Sequence, residues 1–283
     1  MLHLFKKHYC AVLLALLVGC IYAGPDIYHA RTPGYQGIFM ADSGDADFYL
    51  TVINKSYTSE GFVKNPFQYE GRNTGNSFQY FSIEFMLGRV GALLHLSIDT
   101  LAIVAEFLFP ALLTLLLYAF AYSLSRSRLT AGAVATAMLL GTELVHPNGF
   151  SNLLHTFLLR GGWREFLQYS RPVNPQVSAL FFFTSLWALL RLLRTPRSKS
   201  AVLLAGATVG LLAYIYPYFW LFSGTTLGVV GLYALLVRRW ELFVAVVVAG
   251  GVVLGVMAPF LYLNLSLLLH GGGSSLAQAI PVH

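Results

Sequence analysis

The sequence predicts an all-α protein, a polytopic membrane helix bundle of about seven transmembrane helices with a large helical first outer loop. Hydrophobic residues make up 57% of the chain and charged residues 11%, whereas ordinary soluble domains carry roughly 25% charged residues. The mean hydropathy is +0.66. The apolar residues also fall into stretches near the length of about 17–25 residues that a helix needs to cross a bilayer. Together these observations indicate an integral membrane protein in contact with the lipid bilayer.

Scanning the chain for that length identifies the elements in order. Several stretches lie near its short limit, so their boundaries are set only to within a few residues. The predicted spans are His8–Ala23, Leu101–Leu124, Leu129–Val145, Val177–Leu193, Ala201–Tyr216, Tyr218–Val237 and Leu242–Leu263.

The basic residues predict a cytoplasmic N-terminus, because short cytoplasmic loops retain Lys and Arg. This orientation brings four basic clusters inside and places nearly all acidic residues outside or within the outer half of a span, with Glu241 as the exception. The net charge of +6 therefore reflects topology, and no basic stripe with interleaved aromatic residues indicates a nucleic-acid partner. We expect a bacterial inner-membrane protein with its large loops outside. The four clusters are Lys6–Lys7, Arg126/Arg128, Arg191–Lys199 and Arg238–Arg239.

The two cysteines lie in the first apolar stretch, at Cys10 and Cys20. In a helix they are about 15 Å apart along the axis, too far for a disulfide. The basic start, the apolar run and LVGC at Leu17–Cys20 also resemble a bacterial lipoprotein signal. Cleavage there would remove the first span, and a retained signal anchor is the alternative that we adopt.

Two long outward excursions connect the predicted spans, over residues 24–94 and 146–176. Loops of this length are uncommon in a compact fold unless they carry a function. The inward turns are short, so the sequence predicts one transmembrane domain over residues 1–283. The final residues, HGGGSSLAQAIPVH, read as an outward loop, from which we expect the chain to be C-terminally incomplete.

The first excursion contains a predicted short helix. Ala46, Tyr49, Leu50 and Ile53 recur at the spacing of one helix face, and the pair Glu60-Gly61 is suited to close the helix. Asp45 directly precedes this face, so one interpretation makes it the N-cap. Asp42 and Asp47 are then solvated acids that complement the helix dipole.

A second interpretation comes from five strings in order along the chain. They are DADFYL at Asp45–Leu50, EG at Glu60-Gly61, NPFQYE at Asn65–Glu70, SRPVNPQVS at Ser170–Ser178 and YIYPYFW at Tyr214–Trp220. Their order and topological placement resemble the GT-C superfamily of membrane glycosyltransferases, which includes oligosaccharyltransferase catalytic subunits, protein mannosyltransferases and aminoarabinose transferases. The resemblance is closest in the N-terminal half.

The resemblance implies transfer of a sugar from a polyprenyl-phosphate-linked donor to an unknown acceptor, with inversion at the sugar. In that superfamily an aspartate of the first outer loop is catalytic, and Asp45 matches it best, with Asp47 second. A carboxylate can take the proton of an acceptor hydroxyl as that hydroxyl attacks. Some members of the superfamily use a divalent cation and others do not, so a divalent cation remains open as a cofactor.

Departure of a lipid phosphate requires cationic or donor groups. The outward arginines Arg72, Arg160, Arg164 and Arg171 are candidates, although arginines at a membrane face also snorkel to lipid headgroups. We favour Arg171 because it starts a rigid, proline-containing stretch. The further candidate substrate-binding residues are Asp42, Tyr49, Glu70, Glu143, His146, Asn174, Gln176, Tyr216 and Tyr218. The two last tyrosines fit a lipid-interface belt at least as well.

Two other classes of function remain open. A transporter or lipid-carrier flippase could combine outward acids with intramembrane carboxylates such as Glu106, which lies near Pro110. Such proteins often contain inverted repeats or paired broken helices, which this sequence does not clearly show. A non-catalytic scaffold with the same fold is the third reading.

Overall fold

A computed structural model describes residues 2–31, 33–35, 44–58, 82–145, 151, 169, 171 and 173–270. Every regular element in these ranges is an α-helix, which confirms the predicted all-α class. The helices are α1 (Leu2–Ala30), α2 (Gly44–Thr58), α3 (Ser82–Leu93), α4 (Ile98–Ser125), α5 (Arg128–Val145), α6 (Gln176–Arg194), α7 (Lys199–Ile215), α8 (Pro217–Leu236) and α9 (Trp240–His270).

Within the described part of the chain, five helices are long and apolar enough to cross a membrane, as expected of an integral membrane protein. The predicted third and fifth spans are also helical, but their apolar parts, Arg128–Gly141 and Lys199–Ile215, are shorter. The predicted count of about seven spans is therefore not confirmed. The five segments are His8–Tyr28, Ile98–Ser125, Gln176–Arg194, Pro217–Leu236 and Trp240–Tyr262.

The chain divides into two compact units. Unit 1 comprises Met1–Thr58 and Met86–Leu180, and unit 2 comprises Ser59–Phe85 and Phe181–His283. Helices α3 and α6 each contribute residues to both units.

In unit 1, α1 packs antiparallel against α4. His8 Nδ1 lies 2.9 Å from the Tyr118 hydroxyl, and Gly19 faces Phe107 so closely that a Cβ would lie 2.7 Å from the Phe107 carbonyl oxygen. The Tyr22 hydroxyl donates to the Leu139 carbonyl of α5 at 2.7 Å. The three helices therefore form one packed group. Cys10 and Cys20 are exposed free thiols on α1.

In unit 2, α7 and α9 approach closely through glycine. A Cβ at Gly206 would lie 2.6 Å from both the Ala249 carbonyl oxygen and the Val252 Cβ, and one at Gly210 would lie 2.8 Å from the Val256 Cβ. Small residues four apart allow such close helix contact in membranes. The surrounding core is apolar and is buried between α6, α7, α8 and α9, with Leu192, Ala205, Val209, Ala234, Leu242 and Met257 among its members.

A tyrosine hydroxyl of α7 contacts two backbone groups of α9. The Tyr214 hydroxyl donates to the Val256 carbonyl at 2.8 Å, and the Phe260 amide donates to the Tyr214 oxygen at 3.2 Å. Pro259, which has no amide N–H, precedes Phe260. The hydroxyl therefore links α7 to the α9 backbone next to this proline.

The glycine contact gives a first test. We expect Gly206→Val to lower the free energy of unfolding by about 1–3 kcal/mol, because the new side chain must displace the α9 backbone. Gly228→Val on α8 is the matched control, since a Cβ there meets no atom within 4 Å. Thermal unfolding in neutral detergent compares the two variants, and equal loss in both would contradict the close α7–α9 contact.

The Tyr214 bridge gives a second test. Tyr214→Phe is expected to lower the free energy of unfolding by about 1 kcal/mol, because the hydroxyl links two backbone groups of α9 to α7. Tyr233→Phe on α8 is the matched control, since Tyr233 is exposed. Thermal unfolding in neutral detergent compares the two variants. An equal loss in both would show that the Tyr214 hydroxyl does not stabilise the contact between α7 and α9.

Candidate functional site

Helix α2 is fixed in unit 1 by a buried face. Val52, Ile53 and Ser56 are buried, and the Ser56 hydroxyl donates to the Val52 carbonyl at 2.9 Å. Gly88 of α3 packs here, because a Cβ at Gly88 would lie 2.5 Å from the Ile53 carbonyl oxygen. Of the predicted apolar face, Ile53 is buried, while Tyr49 and Leu50 are half-buried.

The candidate catalytic acids lie at the start of this helix. Because α2 begins at Gly44, Asp45 occupies the first helical turn and not the N-cap position that the sequence suggested. Asp47 is also helical. Helix α2 ends at Thr58, and the predicted closing pair Glu60-Gly61 lies outside the described residues.

Several predicted site residues also fall outside the described part of the chain. These are Asp42, Glu70, Arg72, His146, Arg160 and Arg164. Glu143 lies in the last turns of α5, for which the structure gives the backbone position. A possible metal site can likewise be assessed only among the described residues. Among the described residues, no three or more His, Cys, Asp and Glu side chains are grouped to hold an ion.

The second candidate element is the start of α6. Val173, which is buried, has a φ of 65°, a left-handed conformation that is strained for a β-branched residue. In this conformation its carbonyl accepts the amides of Val177 at 2.8 Å and Ser178 at 3.0 Å. The Ser178 hydroxyl donates to Asn174 Oδ1 at 2.6 Å. Hydrogen bonds from the first residues of α6 thus hold the turn in this conformation.

Gln176, the first residue of α6, is buried, at 1% exposure. Its Nε2 donates to the Tyr169 carbonyl at 3.3 Å. Its Oε1 is buried and accepts no hydrogen bond from the described residues, a condition that costs about 1–3 kcal/mol in a folded protein. Arg171, five residues earlier, is exposed. The turn therefore combines an exposed cation with a buried acceptor that can receive an O–H or N–H group.

Tyr216 and Tyr218 belong to unit 2 and start helix α8. Their rings lie 5.3 Å apart, and Tyr216 also meets Phe219 edge to face at 4.9 Å. Phe219 stacks on Phe182 of α6 at 4.5 Å. Tyr218 is 73% exposed. Such rings can stack on a sugar face or lie at the lipid headgroup level.

Two buried carboxylates in the described chain were not singled out by the sequence. Asp26 is 1% exposed because α1 continues through Pro25 to Ala30, beyond the predicted end of the first span at Ala23. Glu84 is 4% exposed on α3, outside the candidate spans. It precedes Gly88 and Gly91 by four and seven residues, a one-face spacing that could have identified it. Burial raises the pKa of Glu84 to about 7.

Comparisons of the sequence and the structure with known proteins found no similar protein. No protein-family model matches the chain, and neither a curated protein nor a solved structure does so.

Glu84 gives a pH prediction. Its pKa of about 7 in the folded protein lies above the ordinary value near 4.3, so the folded state holds a proton that the unfolded state releases. The stabilisation is complete below pH ~4.3 and is lost as pH rises through ~7, with a change of the order of 3–4 kcal/mol. Glu84→Gln should remove this dependence. Unfolding free energies at pH 4.5, 6 and 8 test it, and an unchanged pH slope in the variant would contradict it.

Proposed function

We propose that the protein is a membrane glycosyltransferase of the GT-C type. It transfers a sugar from a polyprenyl-phosphate-linked donor to an acceptor on the outer face of the membrane. The arrangement proposed is one transmembrane domain of about seven spans, with a large first outer loop and a cytoplasmic N-terminus in a bacterial inner membrane. The resemblance of five sequence strings to that superfamily is the origin of this proposal.

One structural observation gives it the most support. Helix α2, which carries Asp45 and Asp47, and the turn from Tyr169 to Gln176 belong to the same compact unit. The proposed reaction needs a base for the acceptor and a group for the phosphate or sugar of the donor, and these two elements would supply them. Arg171 is the proposed phosphate partner, because a guanidinium can bind two oxygens at once. The acceptor atom Gln176 Oε1 is proposed to receive a sugar hydroxyl.

Helix register favours Asp45 over Asp47 as the base. Position 45 precedes Tyr49 by four residues, Val52 by seven and Ser56 by eleven, so it is in line with the protein-covered face of α2. Position 47 is about half a turn away from that line. A carboxylate beside apolar groups is a stronger base, since partial burial raises its pKa. Asp45 therefore remains the first choice and Asp47 the second.

The other described candidates take supporting roles in this proposal. Tyr49 is placed beside the base on α2, and Asn174 orients the turn that holds Gln176. Tyr216 and Tyr218 provide a ring surface for a sugar or a lipid headgroup. Asp42, Glu70, Arg72, Glu143 and His146 stay predicted substrate contacts, and any divalent cation would be held by acids among the residues that the structure does not describe in full.

A transporter or lipid-carrier flippase is the second candidate. The observation in its favour is that two helices able to cross a membrane bury carboxylates, Asp26 on α1 and Glu106 on α4. Ionisable residues in spans are expensive in hydrocarbon and commonly mark ion or substrate pathways. Transport by reconstituted protein that depends on Glu106, without any sugar transfer, would favour this candidate.

The deciding experiment measures sugar transfer in membranes that contain the full chain. A panel of polyprenyl-phosphate-linked hexoses serves as donors, and wild type is compared with Asp45→Asn and Asp47→Asn. Loss of a general base lowers the rate by about 10²–10⁴-fold, and we expect this for Asp45→Asn with a much smaller loss for Asp47→Asn. Size-exclusion profiles in detergent control for folding of each variant.

Three results would count against this proposal or part of it. Transfer that survives both substitutions would exclude an α2 carboxylate as the base. A large loss in Asp47→Asn alone would reverse the order of the two acids. No transfer by wild type from any donor would shift the weight to the transporter or scaffold readings.

A further inference from the structure

The charged residues of unit 2 between 181 and 283 all lie near one end of its helices. The sequence has seven Lys, Arg, Asp and Glu residues in this range, at the end of α6, the start of α7 and the turn between α8 and α9. We name them the basic end. They are Arg191, Arg194, Arg197, Lys199, Arg238, Arg239 and Glu241.

Contacts show that residues distant in sequence converge at the basic end. Arg197 Nε donates to Glu241 Oε2 at 2.9 Å, and a second guanidinium N–H of Arg197 reaches Oε1, so the pair is bidentate. Arg191 Nη2 lies 3.4 Å from the Ser200 hydroxyl at the start of α7. Arg239 acts through its charge on the same Glu241 carboxylate. The cluster therefore joins α6, α7 and α9.

The basic end has a large surplus of positive charge. It contains six cations and one carboxylate, which leaves a surplus of five positive charges, and the carboxylate is already paired with Arg197. Lys199, Arg238 and Arg239 are exposed. Like charges held together repel each other, so a bound anion relieves that repulsion.

Apolar side chains border the cations on the outer surface of the same helices. Leu236 is 72% exposed, Trp240 58% and Val244 57%. They belong to α8 and α9, which are both long and apolar enough to cross a membrane. Tryptophan beside a basic turn is typical of the membrane–water boundary. A ligand bound to this surface would thus contact the cations with one part and these apolar side chains with another.

We propose that the basic end binds an anionic phospholipid, with the headgroup phosphate held by Arg238, Arg239 and Lys199 and the acyl chains lying along Leu236 and Val244. Clusters of Lys and Arg directly beside a membrane helix attract anionic lipids. An arginine pair suits a phosphate because each planar guanidinium can donate two hydrogen bonds. Glu241 tunes the site by neutralising Arg197. This site is independent of sugar transfer.

The test uses the full chain in neutral detergent and native mass spectrometry, with phosphatidylglycerol as the probe and phosphatidylcholine as the neutral lipid. Wild type should bind phosphatidylglycerol at least tenfold more tightly. Each cation near a surface contributes a factor of about five, so Arg238→Gln/Arg239→Gln should weaken binding by about 25-fold. Glu241→Gln should strengthen binding about fivefold, because it releases the charge of Arg197.

Matched controls separate a site from general surface charge. Arg126→Gln/Arg128→Gln removes the same number of cations from the α4–α5 turn of unit 1 and should leave affinity within about twofold. Arg238→Lys/Arg239→Lys retains both charges and should retain most of the binding, which controls for folding of the turn.

Three results would overturn the proposal. Equal losses in the two Arg→Gln pairs would indicate an effect of net charge alone. Weaker binding in Glu241→Gln would show that the carboxylate holds the site together and does not tune it. Displacement of the lipid by millimolar inorganic phosphate would identify a site for free anions.

Discussion

Backbone polar groups in a membrane need partners within the protein, because hydrocarbon supplies none. This requirement shapes the spans of the present chain. Pro25, Pro110 and Pro259 lie inside helices that are long enough to cross a membrane, and each removes an N–H donor. Next to Pro259 the Tyr214 hydroxyl contacts the Val256 carbonyl and the Phe260 amide of α9. On α4 the Thr114 hydroxyl donates to the Pro110 carbonyl at 2.7 Å. Hydroxyl side chains thus add hydrogen bonds to the helix backbone close to two of the three prolines.

The same requirement distinguishes polar side chains with structural roles from those that invite a functional explanation. A hydroxyl within a helix can donate to a carbonyl of its own preceding turn, as Ser56 does. Ionisable groups buried in membrane helices are costly and commonly mark a functional site. Asp26 and Glu106 are such residues. The Oε1 of Gln176 is an acceptor that backbone carbonyls cannot satisfy. These three residues invite a functional explanation more than the buried hydroxyls do.

The sequence predicted the helical class and the approximate positions of the candidate spans among the described residues, because hydrophobic length is a local property. It could not decide how many of them are long enough to cross a membrane. The end of the first span was wrong, since Pro25 was read as part of the outer loop whereas α1 continues to Ala30. The N-cap role of Asp45 was also wrong, because it requires a helix that begins at Ala46, whereas α2 begins two residues earlier, at Gly44. The buried environment of Glu84 depends on tertiary packing and leaves only a weak spacing signal in the sequence.

Glu241 shows why a topological rule needs the folded structure. Among the acids it was the exception to the outward placement that basic clusters predict. Its partner, Arg197, is 44 residues away in the chain, and only the packing of α6, α7 and α9 makes them neighbours. Because Arg197 neutralises Glu241, the cluster keeps a net positive charge. Glu241 is therefore compatible with the predicted cytoplasmic position of this cluster. The predicted orientation in turn places the basic end at the cytoplasmic leaflet, where anionic lipids give a negative surface potential. The same prediction assigns the loop with Asp45 to the outer side. The lipid and sugar proposals therefore share one predicted orientation but use residues of different units, so the site of one can fail without the site of the other.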